Sequence, residues 1–413
     1  MDMIKASEGC SEFKPARRLR VMHIVSSEWG HRFSGQTHYL FSLLSGWNDK
    51  DVGLDIWGSD VRPLNVGTGT RDYKLAAQLW PPGRSPQSVL SRMSGYARQL
   101  AFLVVHAQDF DIAHFHKLGW DTLVSPLVLS LFGKKAVYTA SLYGSDNPSA
   151  VRESRGGRLA ATLLRHFDGI VALSPLLAED YLASGAKNVA CLPNFLALPQ
   201  LERDCGAGAR EQTRRELSIP HDATVLLFIG AVIRRKGVDL LAVCFARLAP
   251  RRDDLWLVIL GPNSGALSDG ETFVQAVRTT IARAGVAPRV VWTGMVRDKN
   301  VLVRYYSAAD IFVLPTRAEG LANVLIEASA AGLPIVATDL RGITDVPVAD
   351  GETGFLTPVE DVDALTQAVE RLITDPALRA KMGQSGRAHS KQFGFEDYCR
   401  KLKTFYLNVA GSS

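Results

Sequence analysis

The chain has 413 residues, of which 46% are apolar, 22% charged and 8% aromatic, and its formal net charge is +5. Such a length predicts two domains, each large enough to bury a proper core. No run of about 18 apolar residues occurs, which excludes an expected spanning helix, and no basic stripe interleaved with aromatics occurs, which excludes a nucleic-acid module.

Residues 1–18 read as an N-terminal lead-in that starts Met-Asp-Met-Ile-Lys and has no apolar secretory core, so no signal peptide is expected. Arg17, Arg18 and Arg20 form a small basic cluster. It is either a solvated lead-in or a contact for anionic lipid headgroups, where each basic residue adds about 1 kcal/mol. Short β-branched apolar runs then alternate with helical patterns. The strand signals are Leu19–Val25, Ile112–Phe115, Ala136–Thr139, Gly169–Leu173 and Val189–Leu192. After a break come Thr224–Ile229, Leu255–Leu260, Val290–Trp292, Ile311–Leu314 and Ile335–Ala337. Near-continuous apolar strands separated by helices predict buried parallel sheets, an α/β fold.

The break at 199–222 holds Pro199, Gly206, Gly208 and Ser218-Ile219-Pro220, and reads as a linker or a linker plus one short helix. It separates a domain at 19–198 from one at 223–390. The two begin alike. One opens with Val21–Val25, a loop with Gly30 and Gly35, and a helix through Leu40, Leu43 and Leu44. The other opens with Val225–Ile229, a loop with Gly230 and Gly237, and a helix through Leu240, Leu241 and Phe245. This predicts two facing Rossmann-like domains with a deep interdomain cleft at the carboxyl ends of their strands. Residues 391–413 carry apolar side chains at 393, 395, 398, 402, 405 and 406, as in a final amphipathic helix packing on the body, with a frayed tail. The five cysteines (10, 191, 205, 244 and 399) lack any CxxC or Cys/His spacing, which argues for a reducing compartment and against structural zinc.

The most informative stretch is Glu319 to Gly332, followed by Pro334–Thr338. Apolar residues at 321, 324, 325 and 328 lie on one helix face, and Gly332 and Pro334 supply stop signals. Asn323 and Glu327, four apart, share a side of that helix. Gly320 at its start leaves the first N–H groups open to an anion such as a diphosphate. A glutamate one to two turns deeper suits sugar or ribose hydroxyls, so the stretch reads as a site for a nucleotide sugar.

Glu319-Gly320, then Glu327 after seven intervening residues, then Gly332-Leu-Pro-Ile-Val-Ala-Thr-Asp339, Gly342-Ile343 and Asp350-Gly-Glu-Thr-Gly354 resemble the C-terminal pattern of retaining GT-B glycosyltransferases of the family 4 type, the glycosyl transferases group 1. The resemblance runs from about residue 19 to 406. It implies that the loop Gly230-Ala-Val-Ile-Arg-Arg-Lys236-Gly237 gives a lysine and an arginine to the donor diphosphate. Ala231 stands where the family commonly has arginine, so Arg234 or Arg235 takes that part, with Arg234 favoured. Fixed cations and N–H groups there stabilise the charge growing on a departing diphosphate.

In the first half, Ser34-Gly35-Gln36 matches the family's glycine loop, and Gly35 lets the backbone approach donor or acceptor. Asp111-Ile-Ala-His114-Phe-His116 resembles its strand end, with His116 lining the cleft or serving as a hydrogen-bonded wall residue. At Thr139-Ala-Ser-Leu-Tyr143-Gly-Ser-Asp146 the chain departs from the family. Tyr143 stands where a histidine usually reaches the donor sugar, and tyrosine is a poor base at neutral pH. Asp146 matches the family and is expected to touch the sugar. Ser174 and Pro193-Asn194 are expected to set loop geometry. The segment 58–95, with Trp80-Pro-Pro-Gly83, is either an acceptor wall or an ordinary surface loop.

The resemblance thus implies a metal-independent hexosyltransferase that needs no cofactor beyond its nucleotide-sugar donor. Gly230, Arg234, Lys236 and Gly237 would hold the diphosphate. Gly320 and the N–H groups of Leu321, Ala322 and Asn323 would cap it, Glu327 would bind the ribose and Glu319 the sugar. The acceptor would be a glycan or lipid-linked molecule in bacterial polysaccharide or envelope assembly, in the cytoplasm or at the inner membrane face. A glycosidase pair at Glu319 and Glu327, a GT-B epimerase or phosphorylase, and a non-catalytic nucleotide-sugar-binding partner of another transferase are the alternatives.

Overall fold

In the computed structural model every expected strand forms, and two more appear, Val52–Gly58 and Gly354–Thr357. The structure describes residues 17–25, 35–58, 89–154, 156–202, 206–263 and 269–412. Both added strands are sheet edges. An edge strand has one neighbour and keeps much of its surface half-buried, so Val-Gly-Leu-Asp-Ile-Trp-Gly and Gly-Phe-Leu-Thr lack the continuous apolar run that marks a central strand.

The chain divides into two compact units, one up to Pro193 together with the residues from Glu396 onward, the other Asn194–Phe395. In the first, the order is β1 (Leu19–Val25), α1 (Gly35–Gly46), β2 (Val52–Gly58), α2 (Val89–Val105), β3 (Ile112–Phe115), α3 (Trp120–Ser130), β4 (Lys135–Ala140), α4 (Pro148–Glu153), α5 (Gly157–Leu164), β5 (Gly169–Ala172), α6 (Pro175–Ala183) and β6 (Val189–Cys191). Its all-parallel sheet runs β2-β1-β3-β4-β5-β6. The order reverses between β1 and β3, so the loops after these two strands leave in opposite directions and open a crevice at their carboxyl ends.

The second unit contains α7 (Gly206–Glu216), β7 (Thr224–Ile229), α8 (Val238–Leu248), β8 (Leu255–Leu260), α9 (Glu271–Arg283), β9 (Val290–Gly294), α10 (Lys299–Ala308), β10 (Ile311–Leu314), α11 (Asn323–Ala330), β11 (Ile335–Thr338), β12 (Gly354–Thr357), α12 (Val362–Thr374) and α13 (Pro376–Ser390). The parallel sheet runs β12-β11-β10-β7-β8-β9. Its reversal lies between β7 and β10, the two strands whose carboxyl ends carry the basic loop and the Glu319 segment. The expected linker is partly wall in this unit. Buried Arg214 of α7 donates to Asp310 Oδ2 at 2.8 Å and to the carbonyls of Ala308, His221 and Ala223 at 3.0, 2.7 and 2.8 Å.

The last helix, α14 (Phe395–Gly411), packs on the first unit. A Cβ added at Gly169 of β5 would lie 2.7 Å from Phe405 and from Val409, so a glycine is needed for that approach. The basic cluster beside β1 is engaged within the same unit. Arg17 and Arg20 reach Asp111 Oδ1 at 2.7 and 3.4 Å, and Arg18 donates to the Asp49 carbonyl at 2.9 Å. Among the described residues, no helix is long and apolar enough to cross a membrane.

Candidate active site

At the reversal of the second sheet, the loops after β7 and β10 are bound to each other. Gly237 ends a single 3-10 turn at φ +71°, a conformation that glycine adopts without strain. A Cβ there would sit 1.7 Å from the Pro315 carbonyl oxygen. The Arg235 carbonyl accepts from Arg317 N at 2.7 Å and Thr316 Oγ1 at 2.9 Å. The Arg317 guanidinium holds Asp239 through both Nη atoms, at 2.8 and 2.9 Å, and also reaches Glu360 and the Arg234 carbonyl. Side chains on the two loops are therefore brought together by backbone contact rather than by chance exposure.

Glu319 is the centre of this arrangement. Its Oε1 takes a hydrogen bond from Lys236 Nζ at 2.6 Å and lies 3.0 Å from Thr316 Oγ1, whose single proton it shares with the Arg235 carbonyl, and its Oε2 lies 3.3 Å from Arg235 Nη1. Burial by itself would raise its pKa, but the charges of Lys236 and Arg235 and the bonds from Lys236 and Thr316 outweigh it, so the carboxyl lies below its ordinary value and is ionised. Arg235, not Arg234, is the arginine beside Glu319. Arg234 is exposed and its backbone N–H donates to Asp269 Oδ2. In a turn of three consecutive basic residues only the backbone direction decides which of them faces the partner loop, and that direction is invisible in the sequence. Gly230 follows directly on β7, with its N–H on the Leu260 carbonyl.

Helix α11 starts at Asn323, three residues later than Gly320. Gly320, Leu321 and Ala322 form a buried approach to it, and no side chain caps its first turn, which leaves its early N–H groups for another acceptor. Asn323 Oδ1 accepts from Asn194 Nδ2 at 2.8 Å, so the Pro193-Asn194 pair does set geometry, at the start of α11. One turn on, Glu327 is buried and accepts from Tyr306 Oη at 2.7 Å. Burial raises its pKa to about 7, against the opposing hydrogen bond of Tyr306 and charge of Lys299. The two glutamates of one motif thus have opposite electrostatic settings: one is a fixed anion and the other exchanges a proton near neutrality.

In the first unit, His116 lies just past β3 and is buried, with Nε2 2.7 Å from His23 Nδ1. Burial lowers its pKa to about 3, so the ring is neutral. Tyr143 is half-buried in the turn after β4. Asp146 is the anchor of that turn. Its Oδ2 accepts from Ser141 N, Tyr138 Oη and Ser141 Oγ at 2.9, 3.0 and 3.1 Å, and its Oδ1 from Leu142 N at 2.9 Å. With four protein donors its carboxylate is well satisfied, and its geometry supports the position of Tyr143. Gly35 opens α1. Ser34, Gly30 and residues 59–88, including Trp80–Gly83, lie outside the described residues. Thr316, Tyr306, Arg317, His23 and Tyr406 were not singled out from the sequence, and Arg235 was only the less favoured of two arginines. Thr316, three residues before Glu319, had a positional signal; Tyr306 had none, because it reaches Glu327 from another helix.

Comparison with known proteins gives this geometry a family. The sequence pattern described as glycosyl transferases group 1 matches residues 209–389. D-inositol 3-phosphate glycosyltransferase of Kribbella flavida is 32% identical over 410 residues, covering 93% of each chain. Sucrose-phosphate synthase of Thermosynechococcus elongatus has the same fold, with a TM-score of 0.77 over 96% of this chain and 100% of that one, at 23% identity. Anabaena HepE, solved with UDP-glucose, aligns with a TM-score of 0.71 over 94% of this chain and 98% of its own, at 18% identity. Both sheets, the switch-point loops and the Glu319–Glu327 spacing agree with that assignment, and the chain belongs to the glycosyl transferases group 1, as a glycosyltransferase of GT-B architecture.

Proposed function

We propose that this glycosyltransferase moves a hexosyl group from a nucleoside-diphosphate sugar to an acceptor with retention of anomeric configuration and without a metal ion. The observation that carries the reading is the Lys236–Glu319 pair, which sets a cation and an anion side by side in the loops after β7 and β10, ahead of α11. A lysine ammonium has three donors, so Lys236 can keep Glu319 and still bind a diphosphate oxygen. Arg235 adds a second cation, with exposed Arg234 at the rim of the same turn. The N–H groups of Leu321, Ala322 and Asn323 complete the anion site, with Gly230 and Gly320 leaving room for it and Gly237 closing the basic loop on Pro315. Glu319 orients the transferred sugar and Glu327 the ribose. These charges stabilise the leaving diphosphate, the role a divalent cation would otherwise fill.

Within the first unit, we assign Gly35 and His116 to donor binding and Tyr143 to donating to a sugar hydroxyl, while Asp146 holds its turn. With tyrosine at that position, the departing phosphate oxygen takes the acceptor proton. Under this reading the acceptor is a glycan or lipid-linked molecule of polysaccharide or envelope assembly, reached in the cytoplasm at the inner membrane face. Arg17 and Arg20 are engaged by Asp111, so lipid contact has little support from that cluster. The Kribbella relative favours a second acceptor reading, a phosphorylated polyol such as the D-inositol 3-phosphate of its name.

The test is a thermal-shift panel of UDP, GDP, ADP and their sugar conjugates in EDTA. A ligand at about 100 times its dissociation constant adds about 2.7 kcal/mol to the native state. A shift with one nucleotide family identifies the donor. Transfer to D-inositol 3-phosphate or to a lipid-linked glycan, with the product anomer read by NMR, then separates the acceptors and checks retention. No shift with any nucleotide overturns the donor site and leaves a non-catalytic partner role.

A further inference from the structure

The first sheet has its own switch point, between β1 and β3, and an unusual set of side chains stands there. His23 of β1 and His114 of β3 are directly paired across the parallel ladder. His116 is two residues beyond His114 and so on the same face. Val137 of β4 pairs with His114, which puts Thr139 on that face too. Helix α14 lies over it and supplies Tyr406. All five side chains are buried.

Their polar atoms form one line. Thr139 Oγ1 is 2.7 Å from His114 Nε2, and His114 Nδ1 is 2.6 Å from Tyr406 Oη. Tyr406 Oη is 3.5 Å from His23 Nε2, and His23 Nδ1 is 2.7 Å from His116 Nε2. Burial holds all three histidines below their ordinary pKa, and the neighbouring imidazoles add to it at His23 and His114. Each neutral ring has one N–H and one bare nitrogen. A phenol has a single proton. If Tyr406 donates to His23, then His114 must donate through Nδ1 to Tyr406. His23 then donates through Nδ1 to His116, whose proton must sit on Nδ1. If Tyr406 donates to His114, every proton moves to Nε2: His114 donates to Thr139, His23 to Tyr406 and His116 to His23. With the Tyr406 proton donated within the line, two arrangements satisfy it, and in each the three rings share one tautomer.

We infer that Tyr406 is a positioning residue: through this line, its hydroxyl decides whether the Nδ1 atom of His116 is a donor or an acceptor. A residue on the last helix thereby sets the hydrogen-bonding sense of a ring at the end of β3. The part His116 plays toward donor or acceptor rests on the functional reading above; the coupling rests only on the geometry of the first unit. The same three histidines have ligand atoms within 4.8 Å of one another and are the metal-type cluster among the described residues. Their geometry suits a hydrogen-bonded line better than zinc. A zinc tetrahedron with bonds of 2.0–2.1 Å has edges of about 3.4 Å, and the His23–His116 contact is 2.7 Å.

The experiment is two-bond proton–nitrogen NMR on the full chain with 15N-labelled histidine, which reads each tautomer without any substrate. Resonances are assigned with His23→Asn, His114→Asn and His116→Asn. In the native chain all three rings are expected in the same tautomer, or exchanging together. In Tyr406→Phe, the ring pattern at His23 and His116 is expected to change while their mutual bond persists. Mixed tautomers in the native chain, or unchanged His23 and His116 signals in Tyr406→Phe, would overturn the coupling. Thr139→Val, at the far end of the line, gives a second test if the phenylalanine variant folds poorly; it is expected to shift His114, and unchanged signals there count against the line. One equivalent of zinc moving all three rings to metal-bound shifts would make the cluster a metal site and overturn it. In kinetics, Tyr406→Phe is expected to lower kcat by about tenfold with a smaller change in KM. A nucleotide panel without any shift, beside correlated tautomers, would sink the transferase reading and leave this coupling standing.

Discussion

Lys236 and Glu319, 83 residues apart in sequence, meet at 2.6 Å because the loops after β7 and β10 are fused at the switch point of the second sheet. Both side chains are largely withdrawn from solvent. Glu319→Gln keeps the shape and leaves Lys236 without its closest anion. Breaking such a buried pair costs about 3–5 kcal/mol of stability, less here because Lys236 retains some exposure. Turnover is expected to fall by about 100-fold or more, the scale of losing one preorganised electrostatic group. Steady-state rates beside thermal melts separate the two effects. Near-native turnover in a folded Glu319→Gln chain would remove Glu319 from the site.

Tyr306 is the hydrogen-bond donor that opposes the upward push of burial on Glu327, whose pKa is about 7. Tyr306→Phe removes that donor, so the Glu327 pKa is expected to rise further. If the ionised carboxylate binds ribose hydroxyls, nucleotide affinity in the native chain weakens as pH falls through about 7, and the midpoint moves to higher pH in Tyr306→Phe. Isothermal titration with the nucleotide selected by the thermal panel, at a series of pH values, measures both midpoints. Coincident midpoints would show that Tyr306 leaves Glu327 unperturbed.

The buried histidines make stability depend on pH. His23, His114 and His116 have depressed folded pKa values, so below about pH 6.5 the unfolded chain takes up protons that the folded chain refuses. Their stabilising contribution is complete above that pH and is lost as pH falls toward the folded values. Glu327 has the opposite sign. Its raised folded pKa means that the folded chain holds the extra proton between its ordinary value and about 7. Three depressed histidines outnumber the one raised glutamate, so stability from these four groups is expected to fall as pH drops below about 6.5. Chemical unfolding at pH 7.5, 6 and 5 tests the slope, and His116→Asn is expected to reduce it by about one proton.

Gly237→Ala brings a methyl group against the Pro315 carbonyl and forces alanine to φ +71°. A loss of about 2–3 kcal/mol is expected from strain and overpacking together. The basic loop also separates from Thr316 and Glu319, so nucleotide affinity falls with the melting temperature. A variant that melts like the native chain and binds nucleotide equally well would mean that the two loops are not locked.

Much of this molecule was legible in the sequence for simple physical reasons. Central parallel strands are buried on both faces, so Thr224–Ile229 and Ile311–Leu314 declare themselves as apolar runs with the bounds they have in the structure. The Glu319–Glu327 spacing and the glycine-punctuated basic loop are local patterns, and they led to the glycosyltransferase family. Edge strands Val52–Gly58 and Gly354–Thr357 were not legible, because half-exposed strands need no apolar run. The tertiary structure alone decided that Arg235 rather than Arg234 stands beside Glu319, since backbone direction in a tight turn is set by the loop it packs on. It alone brought Tyr306 to Glu327, and His23 and Tyr406 to the His114-x-His116 strand end, because strand register and helix docking place residues that sequence separation cannot relate. The sequence by itself determined the elements and the chemical vocabulary of the site. The protonation of that site, with Glu319 an anion, Glu327 poised near neutrality and three histidines neutral, was decided only by burial and by partners arriving from elsewhere in the chain.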